Sequence, residues 1–555
     1  MKITTTVLAA GLASAPAGYG AQASLEDSVI QQVSNGGDHG RGLALGDVNG
    51  DGVVDLAVSD PEAGSASRVW ILIGPEFTTV KELLIPGLAP FDLFPVNGDP
   101  FFLEDVDQDG NDDLLMGSRF SKAGTQAIGV GRMLIAYAPE FTQWTELAHP
   151  NPGAAIEYGA SAVVHDFTGD GIPDIGVGAP KAVGDLGGAS VGRIDVYDGT
   201  QLDQPAVQTL RPPVNEQFLD NWGWILHVAD WDRDGVDDLL LNDRPQGIFG
   251  PGQSWFSAMD TSAPTPWQLD PSDLLWFDDF LTDVNGDGYL DFVGSNGDDA
   301  VGIGYGPDYV IENFFFEPSE DSTTRWGDGL AVADVDRDGF NDLLIGSPEL
   351  DDAQGNTATG RVRIYYGPDF TVTQDLWGAH PFAQFGIGVR AQDLDEDGFA
   401  EIFVGAGAEH GGNVHRFRHS TLRVLGEPTI PMSSGGTSRY SIEVGELGAS
   451  TSYLLAISAS GSTPGIDLQS PGGGLKVPLN PDALTFSALG QVNSPLFESF
   501  LGTTDGLGNA GPKLNLGPIA NPALAGAVLT SAAVLFSPLG QINYVTDHAE
   551  VTLIP

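Results

Sequence analysis

Seven copies of one acidic nonapeptide are the strongest chemical signal in this 555-residue sequence. In each copy, oxygen-bearing side chains stand at positions 1, 3, 5 and 9, and glycine stands at position 6. Hard divalent cations prefer carboxylate and carbonyl oxygens, and glycine permits the sharp turn that gathers such ligands around one ion. The main-chain carbonyl at position 7 can complete the set. Each nonapeptide is therefore predicted to be a cation-binding loop.

The seven loops are numbered in chain order, and the predicted ligands of each are the residues at positions 1, 3, 5, 7 and 9. They are Asp47, Asn49, Asp51, Val53 and Asp55 in loop 1; Asp105, Asp107, Asp109, Asn111 and Asp113 in loop 2; Asp166, Thr168, Asp170, Ile172 and Asp174 in loop 3; Asp230, Asp232, Asp234, Val236 and Asp238 in loop 4; Asp283, Asn285, Asp287, Tyr289 and Asp291 in loop 5; Asp334, Asp336, Asp338, Phe340 and Asp342 in loop 6; and Asp393, Asp395, Asp397, Phe399 and Glu401 in loop 7. Flexible coordination by many oxygens favours Ca²⁺ over Mg²⁺, so up to seven Ca²⁺ ions are predicted.

Acidic surface turns are the other interpretation of these loops, since Asp and Gly favour turns without any ion. Without a cation, however, each loop would hold three or four carboxylates close together, which is costly. Loops 1, 3 and 5 have only three carboxylates, because Asn49, Thr168 and Asn285 stand at position 3. We expect these three loops to bind Ca²⁺ most weakly.

The loops recur about every 58 residues, and short apolar segments flank each of them. An apolar residue follows position 9 directly, as Leu56 does in loop 1, so the loop joins two strands and is not part of a helix–loop–helix motif. A third segment with β-branched and aromatic residues comes next, such as residues 68–73, and a short fourth segment ends the unit. Four short strands per unit are typical of a propeller blade. The sequence therefore predicts an all-β fold whose main part is a seven-bladed β-propeller.

The predicted ring needs a last outer strand, and the sequence offers two candidates. Residues 28–33 look like an outer strand but precede the first loop. We predict that this segment pairs beside residues 413–418 and completes the seventh blade, which would leave no free edge. The alternative is that residues 421–425 supply the strand.

The units resemble FG-GAP repeats, the modules of the integrin alpha-chain propeller and of many secreted bacterial proteins. The Phe-Gly element corresponds to Phe385-Gly386, Tyr158-Gly159, Trp222-Gly223 and Trp326-Gly327, and the Gly-Ala-Pro element to 178–180 and 346–348. The resemblance covers about residues 28–420 and implies calcium loops on one face of the ring. In that family the loops occupy some of the blades, whereas all seven match here. Family members include adhesion receptors and domains attached to lyases and lipases, so the resemblance implies a fold and a metal more than a ligand.

Three segments are predicted along the chain. Residues 1–23 contain Lys2, an apolar stretch and a small-x-small motif at 21–23, which is typical of a signal peptide and predicts secretion. Residues 24–420 form the propeller, and residues 421–555 are predicted to form a small β-sandwich whose texture is similar to C-terminal domains of secreted planctomycete-type proteins. No stretch in the mature sequence is long and apolar enough to predict a membrane span.

Charge and composition narrow the function classes. The net charge is −53, of which −49 falls in residues 24–420, so binding to nucleic acid through phosphate contacts is excluded. The chain has no cysteine, which excludes disulfides and thiolate chemistry. We expect a non-catalytic, secreted recognition or adhesion module for a protein or glycan. The alternatives are a structural component of the cell surface or matrix and a polysaccharide-degrading enzyme, which the scarcity of basic residues disfavours; oligomeric state is not predicted.

Overall fold

In a computed structural model, the chain forms two compact units, Leu25–His419 and a C-terminal unit that contains Ser420–Pro555. The predicted signal peptide lies outside the described residues, and it and the predicted domain bounds stay predictions. The structure describes residues 25–32, 40–61, 67–75, 77, 79–86, 99–121, 129–147, 156–183, 191–211, 223–230, 235, 237–243, 255–260, 267–269, 277–295, 300–306, 310–316, 324–394, 399–409, 412–419, 421–425, 428–444, 450–461, 466–470, 473–477, 479–506, 508–536 and 542–555.

Seven four-stranded antiparallel sheets make up the described part of the N-terminal unit, and each contains one nonapeptide loop. Strand β1 (Leu25–Gln32) comes first in the chain. Blades 1 to 3 are formed by β2 (Leu43–Gly46), β3 (Asp55–Asp60), β4 (Arg68–Ile73) and β5 (Thr79–Leu84); by β6 (Phe101–Glu104), β7 (Asp113–Ser118), β8 (Arg132–Ala136) and β9 (Trp144–Glu146); and by β10 (Ala162–His165), β11 (Asp174–Gly178), β12 (Ile194–Tyr197) and β13 (Gln208–Leu210), with a short 3₁₀ helix at Gly199–Gln201.

Blades 4 to 7 repeat the same order. They are formed by β14 (Ile225–Ala229), β15 (Asp238–Asp243), β16 (Trp255–Asp260) and β17 (Trp267–Leu269); by β18 (Phe277–Thr282), β19 (Asp291–Ser295), β20 (Ala300–Tyr305) and β21 (Val310–Phe316); by β22 (Leu330–Ala333), β23 (Asp342–Ser347), β24 (Arg361–Tyr365) and β25 (Thr373–Trp377); and by β26 (Phe385–Gln392), β27 (Glu401–Ala406), β28 (Asn413–His419) and β1. The predicted all-β, seven-bladed propeller is confirmed.

Apolar side chains between neighbouring blades hold the propeller together. The second strand of a blade is buried throughout in β3, β7, β11, β19, β23 and β27, because both of its faces lie against other blades. One core joins blades 1 and 2 through Val69 and Leu114, and another joins blades 7 and 1 through Phe403 and Leu56. Burial of such side chains contributes about 1.5–3 kcal/mol each relative to exposure.

Glycines of the Phe-Gly and Gly-Ala-Pro elements meet where one blade packs on the next. Within blade 3, the Gly159 N–H donates to the Gly178 carbonyl at 2.9 Å. A Cβ atom added to Gly178 would lie 2.0 Å from the Gly223 carbonyl of blade 4, so only glycine fits this contact. The same close approach joins Gly346 to Gly386 and Gly405 to Gly40. The last pair belongs to blades 7 and 1, which closes the ring.

Strand β1 completes blade 7, as predicted. It pairs antiparallel with β28, with Leu25 opposite His419 and Val29 opposite His415. It begins three residues before the predicted segment and ends one residue earlier. The alternative outer strand is wrong, because Leu422–Leu425 pairs with another strand of the C-terminal unit.

The C-terminal unit contains two five-stranded sheets and a two-stranded one within its described residues. They are formed by β29 (Leu422–Leu425), β31 (Gly436–Glu443), β35 (Phe497–Glu498), β37 (Asn509–Ala510) and β38 (Lys513–Leu516); by β30 (Thr429–Pro431), β32 (Ser452–Ser458), β36 (Leu501–Thr503), β39 (Val528–Phe536) and β40 (Ile542–Ile554); and by β33 (Ile466–Ser470) and β34 (Gly473–Val477), with a 3₁₀ helix at Pro522–Leu524. One core contains Tyr440 and Leu514 from the first sheet and Leu455 and Leu535 from the second, which is the arrangement of a β-sandwich.

One α-helix, α1 (Ala483–Leu489), was not expected from the sequence. Asp482 caps it, since its carboxylate accepts the Thr485 N–H at 3.0 Å and the Thr485 hydroxyl accepts the Asp482 N–H at 3.1 Å. This reciprocal capping box stabilises a helix only seven residues long. In the described part of the chain, no helix has the length and apolar character that crossing a bilayer requires.

Candidate metal centres

Each described loop joins the first and second strands of its blade, and an apolar position-2 residue anchors it. Val48, Val106, Val284 and Val335 are at most 1% exposed and pack between strands. The charged positions 1, 3 and 5 are thereby held at the end of the blade, near solvent. Position-6 glycine has φ between 80° and 90° in the six loops where it is described, which explains glycine at this position.

Main-chain N–H groups fix the position-1 and position-5 carboxylates. In loop 6, Asp334 accepts the N–H of Asp338 at 3.2 Å and of Gly339 at 2.9 Å, while Asp338 accepts the N–H of Phe340 at 2.9 Å. The same three bonds are present in loops 1, 2, 3 and 5. The loop therefore wraps around its own carboxylates, as a calcium loop does.

Three carboxylates converge in two of the loops. One oxygen from each of Asp105, Asp107 and Asp109 in loop 2 lies within 4.8 Å of the others, and Asp334, Asp336 and Asp338 in loop 6 are arranged in the same way. Burial, with the neighbouring Asp338 and Asp334 charges, raises the pKa of Asp336 to about 7. This all-oxygen, strongly acidic donor set fits a hard divalent cation, which would relieve that repulsion.

The position-9 carboxylates have a second role that the spacing did not reveal. Asp342 is fully buried, and its two oxygens accept the Val335 N–H and the Gly367 N–H at 2.8 Å each. Asp55 and Asp291 make the equivalent pairs of bonds. These three position-9 side chains thus tie their loops to the turn after the third strand. An ion bound by these carboxylates must share their oxygens with the main-chain N–H donors.

Burial sets the protonation behaviour of these position-9 groups. It raises the pKa of Asp55 to about 6, of Asp113 to about 7 and of Asp342 to about 8. In loop 6 the nearby Asp336 charge adds to the effect. Two main-chain donors oppose the shift in each case without cancelling it. A positive ion beside these groups would favour their ionised form.

Loops 4 and 7 are described only in part. Asp232, Asp234 and Val236 of loop 4 and Asp395 and Asp397 of loop 7 lie outside the described residues. Within loop 4, the Gly235 N–H donates to Asp230 at 3.0 Å, as in the other loops. In loop 7, Glu401 accepts the Leu394 N–H at 2.9 Å and also the Arg416 guanidinium at 2.9 Å. The arginine distinguishes this position-9 group, and the nonapeptide pattern alone did not reveal it.

Comparison with known proteins agrees with the fold. A model of the FG-GAP repeat matches residues 39–72 and 326–365. Integrin alpha-5 of Xenopus laevis is 26% identical over 264 residues, which cover 45% of this chain and 20% of that protein. Integrin alpha-PS2 of Drosophila melanogaster is 32% identical over 176 residues, covering 26% of this chain and 13% of that protein.

A phospholipase is also similar in sequence. The human phosphatidylinositol-glycan-specific phospholipase D is 26% identical over 357 residues, which cover 54% of this chain and 42% of that protein. The chain thus spans less than half the length of these curated relatives. The acidic loops, the glycine contacts between blades and these sequence matches all indicate the same fold. The chain therefore carries FG-GAP repeats and is an integrin alpha-like β-propeller protein.

Proposed function

We propose that the protein is a secreted, calcium-binding, non-catalytic module whose propeller recognises an extracellular protein or glycan. The observation that carries the calcium part is the convergence of three carboxylates in loops 2 and 6, on a backbone that wraps around them. Similarity to integrin alpha chains supports an extracellular recognition role.

The ligand surface is proposed to lie at the blade ends opposite the calcium loops. Each loop precedes the second strand, so the connections after the second and fourth strands gather at the other end. Large apolar side chains exposed there include Phe120 after β7, Phe316 at the end of β21, Trp377 at the end of β25, and Phe382 between β25 and β26. Phe382 is 62% exposed. Exposed aromatic side chains carry much of the binding energy in recognition surfaces.

Calcium stoichiometry tests the metal part of this proposal. Equilibrium dialysis of the full chain against millimolar Ca²⁺ should give up to seven ions per chain, with loops 1, 3 and 5 emptying first as Ca²⁺ falls. Two or fewer ions per chain would contradict the proposal.

A binding screen tests the recognition part. The full chain should be applied to arrays of extracellular glycans and matrix proteins, with calcium and with a chelator. A ligand of this surface should be retained less well by Phe382→Ala and equally well by Phe486→Ala, which removes an exposed phenylalanine from the C-terminal unit. Failure of every ligand class to bind would instead favour the structural role at the cell surface or matrix.

Hydrolysis of phosphatidylinositol-glycan is a second candidate, favoured by the match over 357 residues to the human phospholipase D. That match covers 42% of the enzyme, so activity would require catalytic groups within this chain. Incubating the purified chain with a phosphatidylinositol-glycan substrate and measuring released phosphatidic acid decides between the candidates. Product formation would replace the non-catalytic proposal.

A further inference from the structure

Neighbouring calcium loops are in direct contact through position 8 of the nonapeptide. In loop 2, the Asp112 N–H donates to the Asp47 carbonyl of loop 1 at 2.8 Å. The Asp112 carboxylate accepts the Asp47 N–H at 2.7 Å. Both main-chain polar groups of the first residue of loop 1 are therefore bound by one residue of loop 2.

The same position links loop 6 to loop 5 and approaches loop 3 from loop 4. In loop 6, the Asn341 amide donates to the Asp283 carbonyl of loop 5 at 2.9 Å. In loop 4, the Asp237 carboxylate lies 3.7 Å from the ring of His165, which directly precedes Asp166 of loop 3.

Position 8 is polar only in the even-numbered loops. It is apolar in the odd-numbered ones, where Val54, Pro173, Leu290 and Ala400 stand. Hydrogen bonds made by these polar side chains therefore join loop 1 with loop 2 and loop 5 with loop 6. Single hydrogen bonds also join loops outside these two pairs. The Gln108 amide donates to the Gly171 carbonyl, and the Ala400 N–H donates to the Asp334 carbonyl, which repeats the main-chain bond between Asp112 and Asp47 without the side-chain one.

The position-8 residue connects two ion sites because position 9 follows it directly. Asp342, beside Asn341, is fixed by two main-chain donors of blade 6 and is a predicted ligand of loop 6. An ion bound by Asp342 would restrain the 341–342 peptide further, and the hydrogen bond from Asn341 would transmit that restraint to the Asp283 peptide of loop 5. When one ion has already paid this ordering cost, the second binds more favourably.

We propose that Asp112 and Asn341 are positioning residues that couple calcium binding within the loop pairs 1–2 and 5–6. Occupation of one loop then raises the affinity of its partner by about five-fold or more, the lower range of measured couplings. This coupling rests on the proposed calcium binding. The experiment below distinguishes loops that bind calcium independently from loops that do not bind calcium at all.

Hydrogen exchange of the full chain, measured by mass spectrometry during a calcium titration, tests the coupling in loops 5 and 6. Peptides that contain 283–291 and 334–342 report the midpoint of each loop. Asp283→Ala removes a ligand of loop 5 but keeps the carbonyl that Asn341 binds. We expect the midpoint of loop 6 to rise about five-fold or more in this variant. If Asp283→Ala does not fold, Asp287→Ala takes its place, since it removes an exposed carboxylate of the same loop.

The decisive comparison repeats the Asp283→Ala measurement in a chain that also carries Asn341→Ala. In the presence of Asn341→Ala, adding Asp283→Ala should leave the loop 6 midpoint unchanged, since the link is already absent. Asp166→Ala, which alters loop 3, is the matched control and should not move loop 6. A loop 6 midpoint unaffected by Asp283→Ala overturns the coupling, and a shift that persists with Asn341→Ala overturns the role of Asn341. Absence of calcium-dependent protection in every loop of the unaltered chain would instead refute calcium binding itself.

Discussion

At the scale of single residues, glycines explain why one blade can pack against the next. Gly178 and Gly176 lie on the same strand, two residues apart, but their surroundings differ. A Cβ on Gly178 would meet the Gly223 carbonyl at 2.0 Å and the Ser161 hydroxyl at 2.2 Å. On Gly176, the nearest atom would be a Val163 methyl at 3.1 Å, which can move by a few tenths of an ångström.

These two glycines give a matched pair of variants. Gly178→Ala should lower the free energy of unfolding of the propeller by about 1–3 kcal/mol, because rigid backbone cannot retreat from the new methyl group. Gly176→Ala should be nearly neutral. Differential scanning calorimetry measures both, and equal shifts in Tm for the two variants would mean that the blade contact does not depend on Gly178.

A second residue-scale prediction concerns Asp482 and its pH dependence. Burial raises the pKa of Asp482, but hydrogen bonds from the Thr485 and Ala459 N–H groups and the Ser460 and Ser458 hydroxyls outweigh burial and lower it to about 2. Because the folded-state pKa lies below the unfolded value of about 3.9, the stabilisation is present above pH 4 and is lost as pH falls towards 2.

Substitution of this cap should follow the same pH window. Asp482→Ala should destabilise the C-terminal unit by about 1 kcal/mol at pH 7, the typical value of a lost cap. The difference should shrink as the pH falls to 2. Asp482→Asn keeps an oxygen acceptor that does not titrate, so its Tm difference from Asp482→Ala should stay constant with pH. A pH-independent difference between the native chain and Asp482→Ala would contradict this assignment.

At the scale of elements, β1 makes the pairing that lies furthest apart in the sequence of the propeller. It comes first in the chain yet pairs with β28, and Ile30 packs in the core between blades 7 and 1. A chain that begins at Ser34 lacks this strand and exposes the edge of β28. We expect a lower propeller Tm and concentration-dependent aggregation, measured by light scattering. A chain that begins at Leu25 is the control, and equal behaviour of the two would show that β1 does not close the ring.

The sequence predicted the elements better than it predicted their contacts. Periodic spacing identified the hairpin loops, because they recur along the chain, and a strand-like segment before loop 1 identified the outer strand of blade 7. It could not reveal that Asp342 binds the Gly367 N–H, or that Asn341 reaches Asp283, since these partners are 25 and 58 residues apart. Helix α1 was missed for another reason: its seven residues lie in a segment rich in Pro, Gly and Ser. Its cap and packing stabilise it, whereas its length alone would not.

At the scale of the whole molecule, the charge is concentrated in the propeller. Residues 24–420 carry −49, whereas residues 421–555 carry −5. Seven Ca²⁺ ions would bring the propeller segment to −35 and would neutralise its densest clusters. Binding to the folded state alone stabilises each site by about 2.7 kcal/mol at a hundredfold excess over Kd. Several such sites together equal the whole stability of an ordinary domain, about 5–15 kcal/mol.

Chelation should therefore lower the melting temperature of the propeller by many degrees. The melting temperature of the C-terminal unit should not move, because its sequence contains no such loop and little charge. Differential scanning calorimetry with and without EGTA measures both transitions in the same chain, so the C-terminal unit is an internal control. Added NaCl should restore part of the loss, since salt screens the repulsion between exposed carboxylates. A propeller transition that stays fixed under EGTA would show that the loops do not stabilise the ring, however well their geometry suits an ion.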